Sequence, residues 1–240
     1  MEWKVFLTGD ESDLNELSKS FCGPNLAIVR EEEGFVLKSS RFSEVNNSSA
    51  IRENAENLLV LLNGGARLAL GARKAIALGH IARIGDDGSR SCFLFPAPIR
   101  VTARVLSPSI RITHADGGAE EFNPADPVVG WVNAGLKTEP VAKVLRLLAT
   151  KEPSWENLYR ILEVVEEDMC GLGAIVQQGW ATRKKLKRFK HTASSPSVIG
   201  DDARHGKERT QPPAKPMTFS EARSLIESVV RDWLDTKQNP

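Results

Sequence analysis

The chain has 240 residues, enough for one large domain or two of ordinary size, each with a proper buried core. Apolar residues make up 41% and charged residues 26%, a globular balance that excludes a disordered or fibrous chain. Lysine plus arginine number 32 against 31 for aspartate plus glutamate, so the molecule has no overall attraction for polyanions; a nucleic acid or membrane surface would have to be held by a local patch.

Along the chain, Trp3, Val5 and Leu7 alternate with Lys4, Phe6 and Thr8, the period of a half-buried strand, and Gly9-Asp10 ends it. Leu14, Leu17 and Phe21 recur at helical spacing behind Asp10 and Ser12, a short helix closing at Gly23-Pro24. Leu26 to Val29 and Phe35 to Leu37 flank an acidic tip and read as a hairpin. Ile51, Ala55, Leu58, Leu59 and Leu62 form one stripe, with Ser48 or Ser49 as the cap and Asn63-Gly64-Gly65 as a left-handed stop. Ala75 to Ile84, Arg90 to Phe95, Ile99 to Leu106 and Ser109 to His114 are rich in β-branched residues and alternate in polarity. An antiparallel sheet covered on one face by the Ile51 helix satisfies these patterns, and strands do not alternate with helices as a doubly wound sheet requires.

The turn-forming stretch Asn123-Pro124-Ala125-Asp126-Pro127 marks a boundary, giving a strand-rich α+β domain over 1–125 and a helical domain over 126–240. Pro140 opens a helix carrying Val141, Val144, Leu145 and Leu148, and Pro153-Ser154 opens another carrying Leu158, Ile161, Leu162 and Val165. A pattern interrupted by glycines runs from about Leu172 to Trp180, and Thr182 caps the next helix. Thr218 and Glu221 form a capping box before the stripe Ala222, Leu225, Ile226, Val229, Val230, Trp233 and Leu234. Helices packed as a bundle follow, with Trp131, Trp155, Trp180 and Trp233 assigned to its core. The stripe of the last helix must be covered, either within the chain or by a second copy in a homodimer.

The segment with chemistry in it is Arg183-Lys184-Lys185-Leu186-Lys187-Arg188-Phe189-Lys190-His191. On a helix, Arg183, Lys184, Lys187 and Lys190 or His191 fall near one another, and Arg188 is assigned to the same binding strip. Such a strip suits a phosphate backbone, although a charge run is also the ordinary form of a solvated face. Downstream, Arg204-His205 sits in a polar loop. His205 has the chemistry to take a 2′-hydroxyl proton and Arg204 to steady the pentavalent phosphorane, which together would cleave RNA without a metal. The structural alternative is that Arg204 pairs with a carboxylate on a neighbouring helix while His205 orders its loop.

The Leu158-Tyr159-x-Ile161-Leu162-Glu163 helix, the basic helix, the Arg204-His205 loop and the terminal amphipathic helix together resemble HEPN-type domains, over about the last 100 residues. The resemblance implies a small helical bundle of the kind found in prokaryotic RNases and defence proteins. The family sets its catalytic histidine further beyond the arginine than Arg204-His205 or Arg188 to His191 does, so a binding or scaffolding version fits the residues better than an active one. The whole chain also resembles bacterial proteins.

Other signatures are absent. Cys22, Cys92 and Cys170 are odd in number and form no Cys-x-x-Cys pair, His80, His114, His191 and His205 are scattered, and there is no phosphate loop or nucleophile elbow. No metal and no cofactor is expected. Glu163, Glu166, Glu167 and Asp168 read as the solvated side of their helix. The N-terminus lacks a basic leader, and no run of about 18 apolar residues occurs, so a cytoplasmic protein without membrane attachment is expected. Two functions remain: a non-enzymatic sensing or interaction protein with a protein or RNA partner, or a metal-independent RNase in a toxin or anti-phage role.

Overall fold

A computed structural model describes residues 2–72, 74–94, 110–113, 119–150, 153–204, 207 and 211–238. The expected strand Ile99–Leu106, together with His114 and His205, lies outside them. The chain is an α+β protein that divides into two compact units, Met1–Val132 and Asn133–Pro240. Among the described residues no helix is long and apolar enough to cross a membrane.

The first unit is built on a five-stranded antiparallel sheet of order β2-β3-β1-β4-β5: β1 (Glu2–Thr8), β2 (Leu26–Glu31), β3 (Gly34–Ser39), β4 (Ala77–Ile84) and β5 (Arg90–Leu94). In the centre Val5 pairs with Leu37 on one side and Ile81 on the other, and all three are fully buried. The helices α1 (Glu11–Ser20, capped by Asp10) and α2 (Ser48–Leu70) complete this unit's core with Leu14, Leu17, Ile51, Ala55 and Leu58. Phe6, expected on the polar face of β1, is buried there with Val36 and Ala82. His80 stacks on its ring at 4.1 Å, and the Arg90 guanidinium lies 5.8 Å from the ring centre. A further two-stranded antiparallel sheet pairs β6 (Ile110–Thr113) with β7 (Ala119–Phe122).

Two expectations about α2 are corrected. Its cap is Asn47, whose side chain accepts from Ala50 N, and not Ser48 or Ser49. The helix also runs through Asn63-Gly64-Gly65 and stops only at Gly71, whose φ is +61°. Tertiary contacts override the local stop signal. Asn63 donates to Ile76 O at 2.8 Å and accepts from Ile76 N at 2.7 Å. Gly65 lets α3 (Asp126–Gly135) approach so closely that a Cβ there would lie 2.6 Å from Val128 Cγ1. The stretch read as a loop therefore leads straight into a helix, and Trp131, expected in the helical bundle, lies against Gly65 in the first unit.

In the second unit, α4 (Glu139–Thr150) and α5 (Trp155–Asp168) form a helical pair, followed by α6 (Leu172–Gln177), α7 (Arg183–Ala193), the single turn α8 (Pro196–Ile199) and α9 (Phe219–Thr236). α5 is the central helix, packing against α4, α6, α7 and α9. Ser154 caps it by accepting from Asn157 N, and Ile161, Leu162 and Val165 are inaccessible to solvent. Trp155 stacks against Phe189 of α7, Tyr159 meets the same ring at a tilt, and Phe219 of α9 meets Trp155 edge-on. The α9 stripe is buried within the chain except for the half-buried Leu225, and Trp233 Nε1 donates to Asp168 at 2.8 Å.

Candidate nucleic-acid interface

The sequence of α7 fixes both its orientation and its charge. Thr182 caps it by accepting from Lys185 N, and Leu186, Phe189 and Ala193 are fully buried. At about 3.6 residues per turn, that buried stripe places Lys184, Lys187, Arg188 and His191 on the opposite side, with Arg183 at its flank. Arg183, Lys184, Lys185 and Lys187 are exposed, and among the described residues none has a carboxylate partner. The first turn contains no acidic residue. Three consecutive cations therefore face the positive end of the helix dipole, an arrangement that an anion would relieve.

Arg188 and Lys190, the other two residues assigned to the strip, are structural ties. Arg188 donates to Lys215 O and Pro216 O, each at 2.8 Å, and to Glu221 Oε2 at 3.1 Å. The Glu221 carboxyl is held below its usual range, first by the Thr218 N–H and then by the Arg188 charge. Lys190 pairs with Glu166 and lies 5.6 Å from the Tyr159 ring centre. His191 Nε2 is 2.7 Å from Gln211 O, and Thr192 Oγ1 accepts from Met217 N at 3.0 Å. These bonds hold segment 211–217 along α7 and bring Lys215, exposed and without an ion pair among the described residues, to the same helix.

Arg204 occupies the alternative position that its polar loop allowed. Its backbone N–H bonds Ala193 O at 3.0 Å, its guanidinium pairs with Glu163 at 2.8 Å, and its carbon lies 4.3 Å from the centre of the Tyr159 ring. It borders a cleft of about 500 Å³ whose lining includes Glu156, Glu163, Asp201 and Asp202 against Arg160 and Arg204. Arg160 is itself paired with Glu156 at 2.6 Å. Four carboxylates facing two committed guanidiniums repel a phosphate group. The acidic side of α5 is thus more than a solvated face, since Glu163, Glu166 and Asp168 each hold a cation, the last binding Lys237 at 2.7 Å.

Sequence reasoning missed one residue next to this strip. Trp155 and Trp233 are buried as expected, but Trp180 is only half-buried, and no hydrogen bond or ring contact engages it among the described residues. It follows Gly179, whose φ of +79° turns the chain out of α6, and stands two residues before the cap of α7. Lying outside any helix, it is not held by the periodicity that suggested a core position. Among the described residues no cluster of histidine, cysteine or acidic side chains is arranged to hold a metal ion. Comparison of the chain with protein-family models, with curated proteins and with solved structures finds no match.

Proposed function

We propose that this protein is a non-enzymatic interaction protein whose HEPN-like helical unit binds RNA through the outer side of α7. The observation that carries the reading is the division of labour along one basic helix. Arg188 and Lys190 tie it down, while Arg183, Lys184 and Lys187 stay exposed and without carboxylate partners among the described residues. The commitment of Arg204 to Glu163 and Tyr159 supports binding over cleavage, because an arginine that is to stabilise a phosphorane must have its fork free. An RNase of this build, in a toxin or anti-phage role, would have to break that pair first.

The test is the salt dependence of RNA affinity. Three phosphate contacts on a single strand give a slope of roughly −2 in log K against log salt. The Lys184→Glu/Lys187→Glu double variant should lose most of the affinity and flatten the slope. Wild-type affinity and slope in that variant would remove α7 as the contact surface.

A further inference from the structure

We infer that the interface selects unpaired RNA, with Trp180 stacking on a base while Arg183, Lys184 and Lys187 hold the adjoining phosphates; this rests on the RNA-binding reading above. Trp180 sits three residues before Arg183 and four before Lys184, on a backbone fixed on both sides. Gly179 supplies the left-handed turn behind it, Ala181 is buried ahead of it, and the Thr182 cap then starts α7. Trp131, Trp155 and Trp233 are each at most 6% exposed, and the Trp233 N–H is bonded to Asp168. Trp180 alone among these four tryptophans is half-buried rather than buried, and within the described residues it has neither a partner for its N–H nor a ring against it.

An indole left partly in water a few residues before cations that, among the described residues, have no carboxylate partner meets the two demands of a single strand, which offers a flat base and a phosphate at each step. A duplex offers the phosphates but keeps the base faces inside its stack. Nothing in this arrangement reads base edges, so the preference is for strandedness and not for sequence. The cations supply the salt-dependent part of the affinity, and the indole a part that salt leaves in place.

The experiment compares wild type, Trp180→Leu and Trp180→Phe by fluorescence anisotropy with a labelled single-stranded oligo(A) of about 12 nucleotides and with an RNA duplex of the same length. Circular dichroism confirms that each variant is folded. Trp180→Leu should bind the single strand roughly five-fold or more weakly with an unchanged salt slope, and Trp180→Phe should keep most of the affinity. Duplex binding should be weaker in wild type and indifferent to either variant. Equal single-strand affinity of Trp180→Leu and wild type overturns the inference while leaving the RNA-binding reading in place. A flattened slope in Trp180→Leu also overturns it, because the substitution would then act through the phosphate contacts. Absence of RNA binding by wild type overturns both.

Discussion

Two helices of the second unit begin with the same cap residue and differ at one decisive position. In α9 the Thr218 side chain accepts from Glu221 N, and the Glu221 carboxylate accepts from Thr218 N at 2.8 Å, so the box is closed. In α7 the Thr182 side chain accepts from Lys185 N, but the third position is a lysine and the reciprocal bond cannot form. Lys185→Glu should close it. Removing a cation from the positive end of the helix and placing a carboxylate there each contribute about 0.3–1 kcal/mol, and the new bond to the cap N–H adds up to about 1. A net gain of about 1–2 kcal/mol follows, with Tm rising by roughly 2–4 °C per kcal/mol in a chain of this size. Thermal unfolding followed by circular dichroism, repeated at high salt to screen the dipole contribution, measures it. An unchanged or lowered Tm at low salt refutes the claim that the start of α7 is electrostatically unfavourable without a bound anion. The same variant is a control for binding: Lys185 lies off the outer side, so its reversal should weaken RNA binding less than Lys184→Glu does.

Gly65→Ala should destabilise the first unit by about 1–3 kcal/mol in urea unfolding, because the 2.6 Å approach to Val128 outweighs the roughly 1 kcal/mol that alanine gains in a helix; a stabilised variant would show that α3 moves aside freely. Burial, and after it the charge of Asp235, raises the pKa of Asp232, so the folded state favours its protonated form and its contribution to stability is lost as pH rises through the raised value. Asp232→Asn should therefore be more stable than wild type at neutral pH, with the difference shrinking toward pH 4; a constant difference across that range would contradict the assignment. Glu221 has the opposite sign. Its lowered pKa means that its contribution is fully present above the usual 4.5 and is lost as pH falls through the lowered value, so Glu221→Gln should lose stability at neutral pH and converge with wild type in acid.

Where a local pattern and its tertiary surroundings agree, the residues announce the fold. The α9 capping box with its stripe, the Leu26–Leu37 hairpin and the Thr182 start of α7 are of this kind. Gly64-Gly65 misleads because the signal for a stop and the requirement for close packing are the same missing Cβ, and only the neighbour, Val128, distinguishes them. Most of the site was legible as charge periodicity, but its partition was not. Arg188 and Lys190 look identical to Lys184 and Lys187 until Glu221 and Glu166 are brought from 33 and 24 residues away. The seat of Arg204 on Glu163 and Tyr159 is likewise a long-range contact, and the helical pattern read through Trp180 overshoots α6, which ends at Gln177 and leaves Trp180 outside any helix.

The central claim is binding without turnover, and it is tested most directly by incubating the 240-residue chain with end-labelled single-stranded RNA in EDTA and dividing each sample between a native and a denaturing gel. The account predicts a shifted band on the native gel that fades with salt and with Lys184→Glu/Lys187→Glu, and intact RNA on the denaturing gel. RNA cut by wild type but left whole by His205→Ala would contradict it and establish a metal-independent RNase instead.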